Sequence, residues 1–168
     1  MILVFTSCGL LPENQTSNNQ VEVSTSNNTI LNINGSVSQM YCIALEALIP
    51  EDEGLNSDAK YIAIDMKKLK GIGEEDIESI KEYFKKYNNR ILNESFESLK
   101  EKGIDKYNNF CLEGILLSTE SINIISKNEI EIKCTKFRSG DGAIGLKINV
   151  IYEDGKWVAK KKDMLWIS

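Results

Sequence analysis

The stretch from Ile144 to Ile167 restricts the fold more than any other, because apolar and polar residues alternate there on either side of a sharp turn. Ile144, Leu146, Ile148, Val150 and Tyr152 share one side of an extended strand, and Gly145, Lys147, Asn149 and Glu153 share the other. Asp154-Gly155 supplies two residues that tolerate positive φ, as a tight hairpin turn demands. Lys156-Trp157-Val158-Ala159 starts the return strand, which ends in Met164-Leu165-Trp166-Ile167. Upstream, Ile130, Ile132 and Cys134 alternate with Glu131, Lys133 and Thr135 after a turn at Ser126-Lys127-Asn128. Before that turn lie Cys111 to Leu117, with Gly114 marking a bulge, and the continuation through Ile122, Ile124 and Ile125. The C-terminal half is therefore expected to be an antiparallel meander.

The preceding residues follow a helical period. Ser36 or Ser38 caps a helix whose apolar residues Val37, Met40, Tyr41, Ala44, Leu45 and Leu48 fall on one face, and Pro50 closes it. Tyr61 to Met66 reads as a short strand, with helix as the alternative. From Glu74 to Tyr87 a second helix is expected: Glu74, Glu75 and Asp76 suit its positive end, and Ile77, Ile80, Phe84 and Tyr87 form one stripe. Asn93 is expected to cap a shorter helix that packs Phe96 and Leu99 and stops at Gly103. Helices followed by a meander predict an α+β domain, with the helices on one face of a curved, four- to five-stranded antiparallel sheet.

Composition narrows the chemistry. The chain of 168 residues carries a net charge of −5, which argues against general nucleic-acid binding. It contains no His, so the usual base of Ser and Cys hydrolases and the commonest metal ligand are missing. Apart from Cys8, the thiols Cys42, Cys111 and Cys134 have no C-x-x-C spacing and sit among apolar residues, so they read as buried, with one disulfide open if the protein is exported. Neither a metal nor a cofactor is expected. Asp65 interrupts one apolar run and Glu113 opens another, which makes them the candidate polar residues of a sheet cavity, against a reading as solvated positions. Ser118-Thr119-Glu120 reads as a turn or bulge, Ser139-Gly140-Asp141-Gly142 as a hairpin connection, and Lys160-Lys161-Lys162 as a solvated strand face. Leu69-Lys70-Gly71-Ile72-Gly73 resembles the hairpin of helix-hairpin-helix modules, but acidic residues fill the helix turn that follows and would repel phosphate, so a plain glycine turn is expected.

The N-terminus carries a different signal. An apolar run, Ile2 to Phe5, leads through Thr6 and Ser7 to Cys8, and residues 12–35 are dominated by Asn, Ser, Thr and Gln, too polar to form a core. The first of these stretches resembles the lipobox of bacterial surface lipoproteins. That resemblance implies that residues 1–7 are the remnant of a signal peptide and that Cys8 carries the acyl chains. It makes residues 8–35 the anchor and linker, and residues 36–168 the single α+β domain. It also implies attachment to the extracytoplasmic face of the cell membrane; a cytoplasmic protein is the alternative if Met1 is the true start. The order of elements, closing in Glu153-Asp154-Gly155-Lys156-Trp157, resembles the cone-shaped nuclear-transport-factor-2-like and cystatin-like folds. The function expected from these readings is a lipid-anchored binding or interaction module without catalysis, its partners the bilayer through acylated Cys8 and a protein at the membrane. Two alternatives stand beside it: an accessory subunit of a membrane transporter or toxin-neutralising complex, and an enzyme with a carboxylate in the sheet cavity.

Overall fold

Ser36 opens the first helix as expected: its backbone is extended and its hydroxyl accepts the Gln39 amide at 3.2 Å. In this computed structural model, which describes residues 31–103, 105–106 and 111–168, α1 (Val37–Glu46) is followed by β1 (Tyr61–Ile64), α2 (Glu74–Phe84) and β2 (Arg90–Asn93). Then come α3 (Phe96–Glu101), the short pair β3 (Asp105–Lys106) and β4 (Cys111–Leu112), and four long strands, β5 (Ile115–Ser126), β6 (Glu129–Ser139), β7 (Gly142–Glu153) and β8 (Lys156–Ile167). The last four form the expected meander, and Asp154 and Gly155 turn the final hairpin with φ of 50° and 77°. Residues 1–30, including Cys8 and the stretch 1–7 expected to be a signal remnant, lie outside the described residues.

The protein is α+β, but its sheet departs from the expected antiparallel four or five strands. Among the described residues it has six strands in the order β2-β1-β5-β6-β7-β8, and β1 runs parallel to both neighbours. The cause is topological: a chain that leaves β1, forms α2 and returns to pair beside β1 has crossed over, and a crossover gives parallel strands. β2 itself carries no alternation, since Ile91 and Leu92 are adjacent and both half-buried. Asn93 closes that strand and is not a helix cap. Ser95, two residues later, caps α3 by accepting the Ser98 amide at 3.2 Å. Gly103, at φ 62°, ends that segment as expected.

Helices lie on both faces of the sheet, not on one. Met40, Leu45 and Leu48 from the α1 segment and Ile80 and Phe84 of α2 pack on Ile132, Leu146, Ile148, Val150 and Trp157. Leu99 of α3, with Phe96, packs on the opposite face against Tyr61, Ala63, Leu112 and Leu116. This double cover is why all four residues of β1 are buried. Beyond α3 the second face stays wet, with Lys147 held between Glu131 at 3.1 Å and Asp163 at 3.8 Å.

Two glycines settle local geometry. A Cβ on Gly114 would stand 2.3 Å from the Tyr61 carbonyl oxygen, so only glycine lets the chain pass β1 between β4 and β5. Ser118, Thr119 and Glu120 lie within β5 at a register shift, a bulge and not a turn. The Gly73 amide donates to the Asp76 carboxylate at 3.0 Å, so the glycine turn before α2 is capped by the helix's own acid.

Candidate functional site

The two candidate carboxylates sit at opposite ends of β1. Asp65 follows the strand, is buried, and faces Lys68 Nζ at 3.6 Å. Glu113 lies beside the start of the strand, where its carboxylate receives Lys60 Nζ at 2.8 Å. The fold does not bring them together. A groove of ≈ 410 Å³ lies near the Asp65 end, but Lys67, Lys68, Lys70, Thr119 and Glu120 line it. Cys42, Cys111 and Cys134 are free thiols; Cys42 and Cys134 are buried and Cys111 is half-buried. Burial pushes the Cys42 thiol up to about 12, so it stays protonated and unreactive.

Two polar clusters escaped the sequence reading. In the first, Glu46 at the end of α1 accepts hydrogen bonds from the hydroxyls of Tyr83 and of Tyr87, the latter at 2.7 Å, and pairs with Lys86 Nζ at 2.5 Å. The same ammonium lies 3.7 Å from the Tyr83 ring centroid. Burial alone would raise the Glu46 carboxyl, but Lys86 and the two hydroxyls outweigh it and hold it below the ordinary carboxylate range. This cluster ties α1 to the end of α2, and no spacing rule connects position 46 with positions 83 to 87.

In the second, the fully buried Lys136 of β6 places its ammonium among backbone oxygens of the loop after α1. Its Nζ donates to the carbonyls of Ile49 (3.2 Å), Glu51 and Asp52 (3.0 Å) and to Asn56 Oδ1 (3.1 Å). Arg138 reaches the same loop, donating to the carbonyls of Leu55 (2.8 Å) and Ser57. Lys136 continues the phase of Ile130, Ile132 and Cys134, so the alternation already placed it on the buried face. Both clusters are satisfied internally, and among the described residues no group of three or more metal-ligating side chains occurs.

Among the described residues β2 and β8 each pair on one side only, and β8 presents the longer edge. β8 ends the sheet, and it divides into two parts. Lys160, Lys161 and Lys162 occupy its middle and pair with Glu153, Asp163 and Glu51, so this part is charged as expected. Its last four residues are large, apolar and exposed: Met164 50%, Leu165 42%, Trp166 41% and Ile167 64%. The register sets Met164 and Ile167 on the helix-covered face, opposite Leu146 and Ile144, while Trp166 lies on the other face across Gly145. A strand added there would find apolar contacts on both faces. The sequence showed these residues as a strand; that the strand is an edge depends on sheet order.

A second apolar exposure lies at the far end of the sheet. Ile124 and Ile125, 40% and 52% exposed, precede the β5–β6 turn. Beside that turn the first described residues reach the domain: the Asn34 amide donates to the Lys127 carbonyl at 2.9 Å and its side chain to Asn128 Oδ1 at 2.6 Å. Among the described residues no helix is long and apolar enough to cross a membrane. No protein-family model matches the chain, and no curated protein or solved structure matches it.

Proposed function

We propose that this protein is a binding module held by an acylated Cys8 on the extracytoplasmic face of a cell membrane, and that it takes a protein partner along the apolar end of β8. The observation that carries the reading is the division of that edge strand into a charged, ion-paired middle and four exposed apolar residues. Edge strands are normally blunted by charge. Here the blunting stops at Asp163, which leaves one segment fit for strand addition, where main-chain hydrogen bonds supply affinity and flanking side chains supply selectivity. That same feature favours the accessory-subunit form of the proposal, in which the partner belongs to a transporter or a toxin-neutralising complex, because such a subunit needs an exposed apolar patch.

The anchor rests on the run from Ile2 through Cys8 and on the polar stretch that follows. Two acyl chains hold a protein stably where one gives only marginal binding. An enzyme with a carboxylate in a sheet cavity is less well supported, since Asp65 and Glu113 stand apart and each faces a lysine. The leading helix and the β5–β8 meander support the nuclear-transport-factor-2-like and cystatin-like resemblance as the finer architectural reading.

One experiment in living cells addresses both parts. Labelled palmitate is expected in the wild type and not in Cys8→Ala. A photo-cross-linker at Leu165 is expected to give one discrete adduct with a membrane protein, while the same group at Asn149 on the wet face gives none. Unlabelled wild type would remove the anchor, and equal adducts from both positions would remove the edge.

A further inference from the structure

We propose that the tip of the β5–β6 hairpin is a bilayer contact, with Ile124 and Ile125 entering the headgroup region while the apolar end of β8 faces away from the membrane. This inference rests on the lipid-anchored reading and adds an orientation to it.

The geometry begins with strand directions. β5 is parallel to β1, and β6, β7 and β8 follow as antiparallel neighbours. The β5–β6 turn and the Asp154-Gly155 turn therefore share one end of the sheet, and Met164 to Ile167 lie at the other. Twelve residues of β5 at about 3.3 Å each separate those ends by roughly 35 Å. Within β5 only Ile115 to Leu117 pair with β1, so the outer part of β5 runs past the parallel strands. From Glu120 to Asn128 every residue is exposed except Ile122, which is half-buried.

The place where the chain reaches the domain selects the occupant. Residues 1–30 precede Leu31, and the segment from Leu31 to Gly35 is seated at this same end, through Asn34 on Lys127 and Asn128. A chain held in lipid at Cys8 thus has a shorter path to the hairpin tip than to the β8 end, which favours the tip as the surface that meets the bilayer. Tethering makes the contact intramolecular in effect, so two apolar side chains suffice where a free protein would need a larger patch. At this end Lys127, Lys156 and Lys160 stand among Glu129, Glu153 and Asp154, which leaves it without a net positive charge. Apolar insertion, not charge attraction, therefore carries the contact.

The test supplies its own tether. The full chain bearing Cys8→Ser and an N-terminal oligohistidine tag is bound to vesicles of phosphatidylethanolamine and phosphatidylglycerol doped with nickel-chelating lipid. Amide hydrogen exchange is then compared with that of the same protein on a soluble nickel chelate. Residues 122–128 are expected to exchange several-fold more slowly on vesicles, and the Ile124→Ser, Ile125→Ser double variant is expected to lose that slowing while its β7 amides stay as protected as in the wild type. Unchanged exchange at the tip, or slowing centred on residues 164–167, would overturn the proposal. Failure of palmitate labelling leaves this measurement intact, so a wrong anchor and a wrong orientation give different results.

Discussion

Lys136 shows how a single buried charge organises a loop. Its ammonium occupies the centre of four oxygens contributed by residues 49–56, a position in which a cation is desolvated but surrounded by acceptors. Burial lowers its pKa from 10.5 to about 8, against the opposing pull of Asp52, Glu51 and Glu53. Between those two values the unfolded chain binds the proton that the folded chain has lost. The stability contributed by this group therefore rises as pH climbs from about 8 to 10.5, and is lost as pH falls through 8. The difference between the urea midpoints of the wild type and Lys136→Met is expected to widen in favour of the wild type across that range, on top of the fall that the raised thiols of Cys42 and Cys134 impose on both proteins. At neutral pH the variant is expected to be less stable by about 1–2 kcal/mol, because the oxygens around Nζ lose their donor, a cost partly offset by removing a charge that burial disfavours. Parallel pH profiles for the two proteins would show that the lysine is not the titrating group.

At the scale of elements, the junction between β4 and β5 decides whether the sheet assembles in register. Gly114 sits against the backbone of Tyr61, where β1 and β5 begin to pair. Gly114→Ala brings a methyl group within 2.3 Å of a carbonyl that cannot rotate away, so one strand must shift. A loss of about 2–3 kcal/mol is expected, in the range of core overpacking, and thermal unfolding monitored by circular dichroism measures it. Gly155→Ala at the final turn meets no neighbouring atom and is expected to cost about 1 kcal/mol through its positive φ alone. The turn was legible from Asp154-Gly155 because its demand is local. The close approach of Gly114 was legible only as an interruption, because the atom it avoids lies on a strand some fifty positions earlier in the chain. The same distinction separates Ser36, whose capping role follows from residues one turn away, from Asn93, whose side-chain chemistry fits a cap but whose backbone belongs to a strand.

For the whole molecule, one sheet carries two apolar clusters on opposite faces, and β1 contributes to both: Ile62 and Ile64 to one, Tyr61 and Ala63 to the other. Such sharing couples the layers. Leu99→Ala, in the smaller cluster, is expected to destabilise the protein by about 2–5 kcal/mol while leaving a single transition in which helical and aromatic signals melt together. Two separated transitions would show that α3 and its strands unfold as an independent layer. The candidate site follows the same division of causes. Met164 to Ile167 are a strand by composition, but their availability to a partner follows from β8 standing last in the sheet. Ile124 and Ile125 continue a strand by their pattern and become an exposed tip because β1 stops after four residues. Hydrophobic period, caps and turn residues are local quantities, and the sequence alone was enough to establish the meander, the first two helices and the final hairpin. Strand order, the parallel crossover, the second helical layer and the partners of Lys136 and Glu46 required the tertiary structure, because each is a contact between residues dozens of positions apart and no short-range pattern encodes which distant surfaces will meet.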